Sequence, residues 1–354
     1  MEWLFCAESN LREARAMAKI ADGWERAIES FSAGKFVDAN LCGAAQVMLQ
    51  NNPLTGLLFL AGIAWGAVSA GMPQVAIGAL VGLVGATGSA TYIGVDDPSL
   101  RSGLYGYNGL LIGVALPTFL KANPLLWAYL VFGAAVSVVV MLAIANLVKT
   151  WGISALTSPF VLTTWILLIA THGFTGLRIL SLPQPGFPQI PVAASAPALD
   201  GEWVIRAVLL GVSQVFFIGN VVAGVIFLGA LVVSSIWAAA FALAGSMLAI
   251  IVALAVGTDL NAVATGLFGF SPVLTAIAIG TVFYTPQPRV VVYAIMGTIF
   301  TVIVQAALDI AVMPFGIPTL TAPFVLATWL FLLPRRNFAP VRHVVGSGGA
   351  LHDN

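Results

Sequence analysis

The chain has 354 residues, of which 60% are hydrophobic and only 8% charged. Soluble domains carry roughly 25% charged residues. A mean hydropathy of +1.01 leaves too much apolar surface for one water-solvated core, so lipid is the expected solvent. The formal net charge is zero and the basic residues form no stripe, which excludes nucleic acid as a partner.

In chain order, residues 1–38 come first and are polar. They hold Arg12, Arg15, Lys19, Arg26 and Lys35 with seven acids, whereas residues 39–334 hold six basic and six acidic side chains. The segment from Ser9 to about Phe31 is predicted as an amphipathic surface helix, with Leu11, Met17 and Ile20 toward one face. It has no apolar signal-peptide core. Cys6 and Cys42 imply no disulfide framework.

Five apolar spans follow at about 54–70, 73–93, 104–120, 124–148 and 159–172, and five more at about 222–238, 240–257, 266–284, 289–311 and 322–334. Apolar pieces at about 40–50 and 207–218 are shorter than the roughly 20 residues a span needs. They read as re-entrant half-helices, which need protein or a cavity around them at membrane depth. The predicted organisation is a cytoplasmic segment 1–38, a first membrane repeat 39–172, an extracytoplasmic linker 173–204, a second repeat 205–334 and a cytoplasmic tail 335–354. With the N-terminus inside, eleven basic residues lie inside and three outside, as the positive-inside rule requires.

The chain repeats itself. Thr157-Ser-Pro-Phe-Val-Leu-Thr-Thr-Trp165 matches Thr321-Ala-Pro-Phe-Val-Leu-Ala-Thr-Trp329 at seven of nine positions. Gly103-Leu-Tyr-Gly-Tyr107 matches Gly266-Leu-Phe-Gly-Phe270, and Gln46-Val47 matches Gln214-Val215, with Asn52, Gly56 and Phe59 matching Asn220, Gly224 and Phe227. Three blocks in one order, at offsets of 164, 163 and 168 residues, mark two related halves. Five spans per half invert the second half in the bilayer and place a site between the halves. The expected fold is an all-α polytopic membrane protein with ten transmembrane helices, in two inverted five-helix repeats plus two re-entrant half-helices.

The chemistry follows from what is duplicated. No nucleophile, metal or phosphate motif is present, so the chain is not read as an enzyme and no cofactor or metal is expected. The shared positions are neutral: Gln46/Gln214, Tyr107/Phe270, Leu111/Leu274 and Thr157/Thr321. A pore for ions would want charged or carbonyl rings. Gln and Thr side chains can replace the hydrogen bonds of a small polar solute, and aromatic faces suit a flat one. The acids Asp259 and Asp309 lie near predicted span ends and read as interfacial, and Asp309 is not duplicated. Taken singly, the aromatic pairs read as helix packing, Gly103–Gly113 as a small-residue helix contact and Pro159 and Pro323 as kinks.

Together, Gly43-Ala-Ala-Gln-Val-Met48, Asn51-Asn-Pro-Leu-Thr-Gly56, Gly103-Leu-Tyr-Gly-Tyr-Asn-Gly109 and the two Thr-x-Pro-Phe blocks resemble the urea transporter family over about residues 38–334. The resemblance implies passive, channel-like passage of urea and a homotrimer with one pore per protomer; the basic-residue count places the chain in the cytoplasmic membrane with both termini inside. The resemblance implies a lining of Gln46, Val47, Leu49, Tyr105, Tyr107, Leu111 and Thr157 from the first half. From the second half it implies Gln214, Val215, Phe217, Phe268, Phe270, Leu274 and Thr321, with the threonines at the narrow middle. Leu49 stands where the family pattern has Phe, Tyr107 where Phe is common, and Ser154 where Pro is expected. Gln214 is neutral where some members carry an acid. Two alternatives remain from the residues themselves: a channel for other small amides or ammonia, and an ion-coupled transporter using Asp309.

Overall fold

The structure, a computed structural model, describes residues 32–187 and 200–334. The expected helix from Ser9 to Phe31 and the 335–354 tail lie outside the described residues. Among those residues fourteen α-helices follow one another, and their order is one series given twice. The first half contributes α1 (Ser32–Gln46), α2 (Pro53–Ser69), α3 (Pro73–Ile93), the short α4 (Asp97–Arg101), α5 (Gly106–Phe119), α6 (Pro124–Lys149) and α7 (Ser158–Thr171). The second contributes α8 (Gly201–Ser213), α9 (Val221–Ser234), α10 (Ile236–Ala255), α11 (Leu260–Ala264), α12 (Phe270–Ile277), α13 (Pro288–Val312) and α14 (Ala322–Leu332).

Local chemistry sets where these helices start. Asn52, Asp96, Asn123, Asp200, Asn220, Ser235 and Asp259 each accept a first-turn backbone N–H, which satisfies a donor the helix cannot. Prolines 53, 73, 98, 124, 159, 288 and 323 occupy first turns, where a missing N–H costs little.

All ten expected apolar spans fall on helices. Four helices are long and apolar enough to cross a bilayer unaided: α3, α6, α10 and α13 with its 3₁₀ extension to Phe315. The helices α2, α7, α14 and α12 with its π-helical continuation to Val282 are apolar but shorter. The segment Gly201–Phe216 meets α9 at a bend of 74°. Three boundaries differ from the sequence reading. The break between α9 and α10 is at Ser235, because that residue is extended (φ −159°) and its Oγ accepts from Ala238 N at 3.3 Å. The helices at the two short apolar pieces start earlier than expected, at Ser32 and Gly201. Lys35, Asp38, Glu202 and Arg206 occupy helical turns that hydropathy alone discounts.

Within the first half, α3 and α5 approach backbone to backbone. A Cβ on Gly82 would sit 2.1 Å from Gly109 O, and one on Gly78 would sit 2.1 Å from Gly113 O. The second part of Gly103–Gly113 is therefore a small-residue helix contact. The halves join through α2 against α9. There Phe59 and its counterpart Phe227 meet edge to face at 5.6 Å and 89°, and the Thr55 hydroxyl donates to Ala230 O at 2.9 Å. The linker ties both halves: Lys121 N donates to Arg178 O at 2.8 Å, and Gly186 N donates to Met313 O at 3.2 Å.

Candidate functional site

The helices α1 and α8 end in the same way. Leu49 N donates to Gln46 O at 2.9 Å and Gln50 N to Ala45 O at 3.1 Å, while Phe217 N donates to Gln214 O at 2.9 Å and Ile218 N to Ser213 O at 3.3 Å. This is the Schellman pattern, in which the closing residue is left-handed and usually glycine. Here it is Leu49 (φ 62°) and Phe217 (φ 58°). The left-handed region costs such residues roughly 1–2 kcal/mol, and large side chains retained there mark positions where the side chain matters. Two more residues share the property, Leu156 and Leu320 at φ 53° each, and with the first two they are the only non-glycine residues at positive φ among those described. All four stand as counterparts across the halves, each within one to three residues of a candidate site residue.

The carboxamides of Gln46 and Gln214 are held in duplicate. Gln46 Nε2 donates to Ser102 O at 2.9 Å, and Gln214 Nε2 donates to Thr265 O at 3.0 Å. Each acceptor directly precedes a left-handed glycine, Gly103 (φ 72°) or Gly266 (φ 79°). A Cβ on Gly103 would lie 2.1 Å from Gly43 N, and one on Gly266 would lie 2.4 Å from Leu210 C. Only glycine allows these loops to reach α1 and α8.

At the join, Thr157 and Thr321 face each other with hydroxyls 2.7 Å apart, and both residues are buried. Each stands at the N-cap of its helix, α7 or α14, yet neither hydroxyl caps it. The local reason is visible in the first half. Pro159 offers no N–H, and the N–H of Phe160 donates instead to Asn108 Oδ1 at 3.1 Å. That leaves the Thr157 hydroxyl to turn toward its counterpart. A turn closed by Ser158 N to Ala155 O at 3.2 Å precedes it, and Ala322 N to Thr319 O at 3.2 Å repeats the turn. The indoles then cross between the halves: Trp165 Nε1 donates to Pro318 O at 2.9 Å, and Trp329 Nε1 donates to Ser154 O at 2.8 Å.

The supports behind the two threonine loops differ. In the first half the Tyr107 hydroxyl donates to Leu156 O. In the second, Phe270 has no hydroxyl and the loop is held through Thr319. Thr319 Oγ1 donates to Asp309 Oδ1 at 3.1 Å and accepts from Gln305 Nε2 at 2.8 Å, and Gln305 Nε2 also lies 3.0 Å from Asp309 Oδ1. Their first-half counterparts are Met141, Ala145 and Ala155. Asp309 is thus tied into a loop support, three residues from the end of α13. Asp259 is exposed and caps α11 by accepting from Asn261 N at 3.1 Å.

One buried cluster gathers Val47, Tyr107, Leu111, Leu156, Phe160, Val215, Phe270, Leu274, Leu320 and Phe324, with Leu49 and Phe217 packed at its margin. Tyr105 and Phe268 fall in two other clusters. The Tyr105 hydroxyl donates to Asp96 Oδ1 at 3.2 Å. The Asp96 carboxyl is held below the usual carboxylate range chiefly by its hydrogen bond from Ser99. Phe217 packs edge to face on Phe119 (5.9 Å, 87°) and Phe160 (6.1 Å, 72°). The repeat offset of 164 residues pairs those rings with Phe283 and Phe324, and Leu49, Phe283 and Phe324 all belong to or pack on the same cluster.

Sequence reasoning missed Asn108, Phe119, Phe160, Trp165 and Trp329. Four of them lay inside quoted motifs: Asn108 follows Tyr107, while Phe160, Trp165 and Trp329 belong to the nine-residue blocks. Phe119 carried no signal.

Residues 37–336 match the profile of the family described as Urea transporter. Relatives include Urea transporter 1 of Ovis aries and of Capra hircus, each 30% identical over 304 residues, covering 84% of this chain and 77% of theirs. Urea transporter 1 of Rattus norvegicus is 29% identical over the same shares.

Proposed function

The chain belongs to the urea transporter family and is a multi-pass membrane protein that transports urea rather than an enzyme; we propose that it does so passively, through one pore between two halves that lie inverted in the bilayer. The observation that carries this reading is the hydroxyl pair Thr157–Thr321, 2.7 Å apart where the halves meet. Counterpart residues in contact are what a two-fold relation between repeats produces, and Phe59 against Phe227 and the crossed indoles support the same relation. In this reading the ten apolar spans are ten transmembrane helices, and α1 and α8 are the re-entrant half-helices. The segments 1–38, 173–204 and 335–354 are the flanking and linking parts.

A urea molecule is planar, with one carbonyl acceptor and two NH₂ donors. Removing such a group from water without replacement costs roughly 2–7 kcal/mol. Carbonyls at the ends of α1 and α8 and the oxygens of Gln46 and Gln214 would accept from the NH₂ groups. Val47, Leu49, Val215 and Phe217 would form slot walls with Tyr107, Phe270, Leu111 and Leu274, and Tyr105 and Phe268 would stand nearer the two mouths. Thr157 and Thr321 would exchange their mutual bond for bonds to the solute, so neither hydroxyl is stranded. The charge asymmetry of eleven to three supports cytoplasmic termini in a cytoplasmic membrane, and the family resemblance supports a homotrimer. The ties of Asp309 to Gln305 and Thr319 support a structural role for that acid over ion coupling.

The test is radiolabelled urea uptake into proteoliposomes with imposed proton or sodium gradients. Internal urea should rise to the external concentration and stop, whatever the gradient. Accumulation above it that collapses with an ionophore and is lost in Asp309→Asn would contradict the proposal. Comparing urea with formamide, acetamide and ammonia ranks the solutes.

A further inference from the structure

We infer that Trp165 and Trp329 are a crossed pair of positioning residues, each holding the loop that presents the other half's threonine. This inference rests on the threonine pair being the narrow middle of the urea path.

The geometry forms a closed circuit. Thr157 is the N-cap position of α7, and eight residues later, roughly 12 Å along the axis, the Trp165 indole donates to Pro318 O. Pro318 opens the loop Pro318-Thr319-Leu320-Thr321. Thr321 is the N-cap position of α14, and eight residues later Trp329 donates to the carbonyl of Ser154, which opens Ser154-Ala155-Leu156-Thr157. Each helix therefore begins at one threonine and grips the approach to the other. Both loops contain a strained leucine just before the threonine, Leu156 and Leu320 at φ 53°. A residue held in that region persists only where its surroundings over-determine it. The indole bonds fix the start of each loop, the Tyr107 hydroxyl or the Thr319 bonds fix its middle, and the Thr–Thr bond fixes its end.

The acceptors are main-chain carbonyls, so the circuit does not depend on which residue supplies them. That accounts for a duplication of Trp165 and Trp329 that survives the change from Pro318 to Ser154. An indole offers one donor and no acceptor. It can thus hold a carbonyl without competing for the threonine hydroxyls.

The experiment is a double-mutant cycle read as urea permeability by stopped flow. Trp329→Phe removes the donor and keeps an aromatic ring. In the wild-type background it should slow urea by between about twofold and tenfold, the range for one hydrogen bond. In a Thr157→Val background it should change nothing further, because the group it positions is gone. Trp165→Phe with Thr321→Val should repeat the result, and it serves if the first pair fails to reach the membrane. In the wild-type protein both indole N–H protons should exchange with deuterium far more slowly than that of the exposed Trp151. Wild-type permeability in both Thr157→Val and Thr321→Val would overturn the threonine reading itself. Slowed threonine variants with silent Trp→Phe changes, or with effects that add fully, would overturn only the positioning role. Exchange of the two indole protons as fast as Trp151 would overturn it too.

Discussion

The two halves solve one problem with different side chains. Each must hold a left-handed leucine directly before a threonine. In the first half a single hydroxyl, that of Tyr107, reaches the Leu156 carbonyl. In the second, where Phe270 replaces the tyrosine, the neighbouring Thr319 is held by Gln305 and Asp309. Among the site residues, the pairs that differ are Tyr107 and Phe270, tied to this support, Leu49 and Phe217 at a slot wall, and Tyr105 and Phe268. The threonines, the glutamines, the crossed indoles and the left-handed turns do not differ in kind. What the halves keep in common is therefore the hydrogen-bonding part that would meet the solute, and what diverges is the support behind it and the ring content of the walls.

The largest effect should come from breaking the common part. Thr157→Val with Thr321→Val should lower urea permeability by about tenfold or more, beyond either single change. Both hydroxyls that would replace urea's water are then gone, and an unmade hydrogen bond of this kind costs about 1–3 kcal/mol. An unchanged stopped-flow rate would dissolve the distinction between shared lining and divergent support. Next, Tyr107→Phe makes the first half like the second without supplying the second half's Thr319 network. The purified protein should lose about 1–2 kcal/mol of stability, read as a lower thermal unfolding midpoint, and a midpoint equal to wild type would show that Leu156 O needs no such partner. Phe217→Leu gives the second slot the wall of the first. It removes two edge-to-face contacts, each worth about 0.5–1.5 kcal/mol, and should change the urea-to-acetamide flux ratio more than the urea flux. The reverse change, Leu49→Phe, should fold and alter urea flux less than twofold, since Phe217 already occupies that backbone conformation and the partner rings Phe283 and Phe324 exist. Failure to fold would show that Leu49 is packed for another reason. The smallest effect belongs to Asp309→Asn. It leaves Asn Oδ1 to accept from Gln305 and Thr319, so urea flux should not depend on it.

Much of this was legible in the sequence, because the repeat turns one-dimensional similarity into pairs of positions. The blocks ending at Trp165 and Trp329 located the threonine pair before any geometry, and the spans located the helices. Other features were hidden for physical reasons. Hydropathy discounts charged helical turns, so α1 and α8 appeared to start at 40 and 207 rather than at Ser32 and Gly201. A serine N-cap overrides apolar continuity, so Ser235 moved the break between α9 and α10. Left-handed leucines are invisible to composition, since nothing in a Leu residue announces a positive φ. Asn108 acts by freeing the Thr157 hydroxyl from helix capping, a role that exists only once α5 is placed beside the start of α7.

The central claim is that urea passes down its own gradient through each copy of this chain. It is tested most directly by stopped-flow urea permeability of proteoliposomes against empty vesicles of the same lipid. The account predicts permeability well above the empty vesicles, proportional to the urea gradient and unchanged by ionophores. Permeability no higher than that of empty vesicles would contradict it.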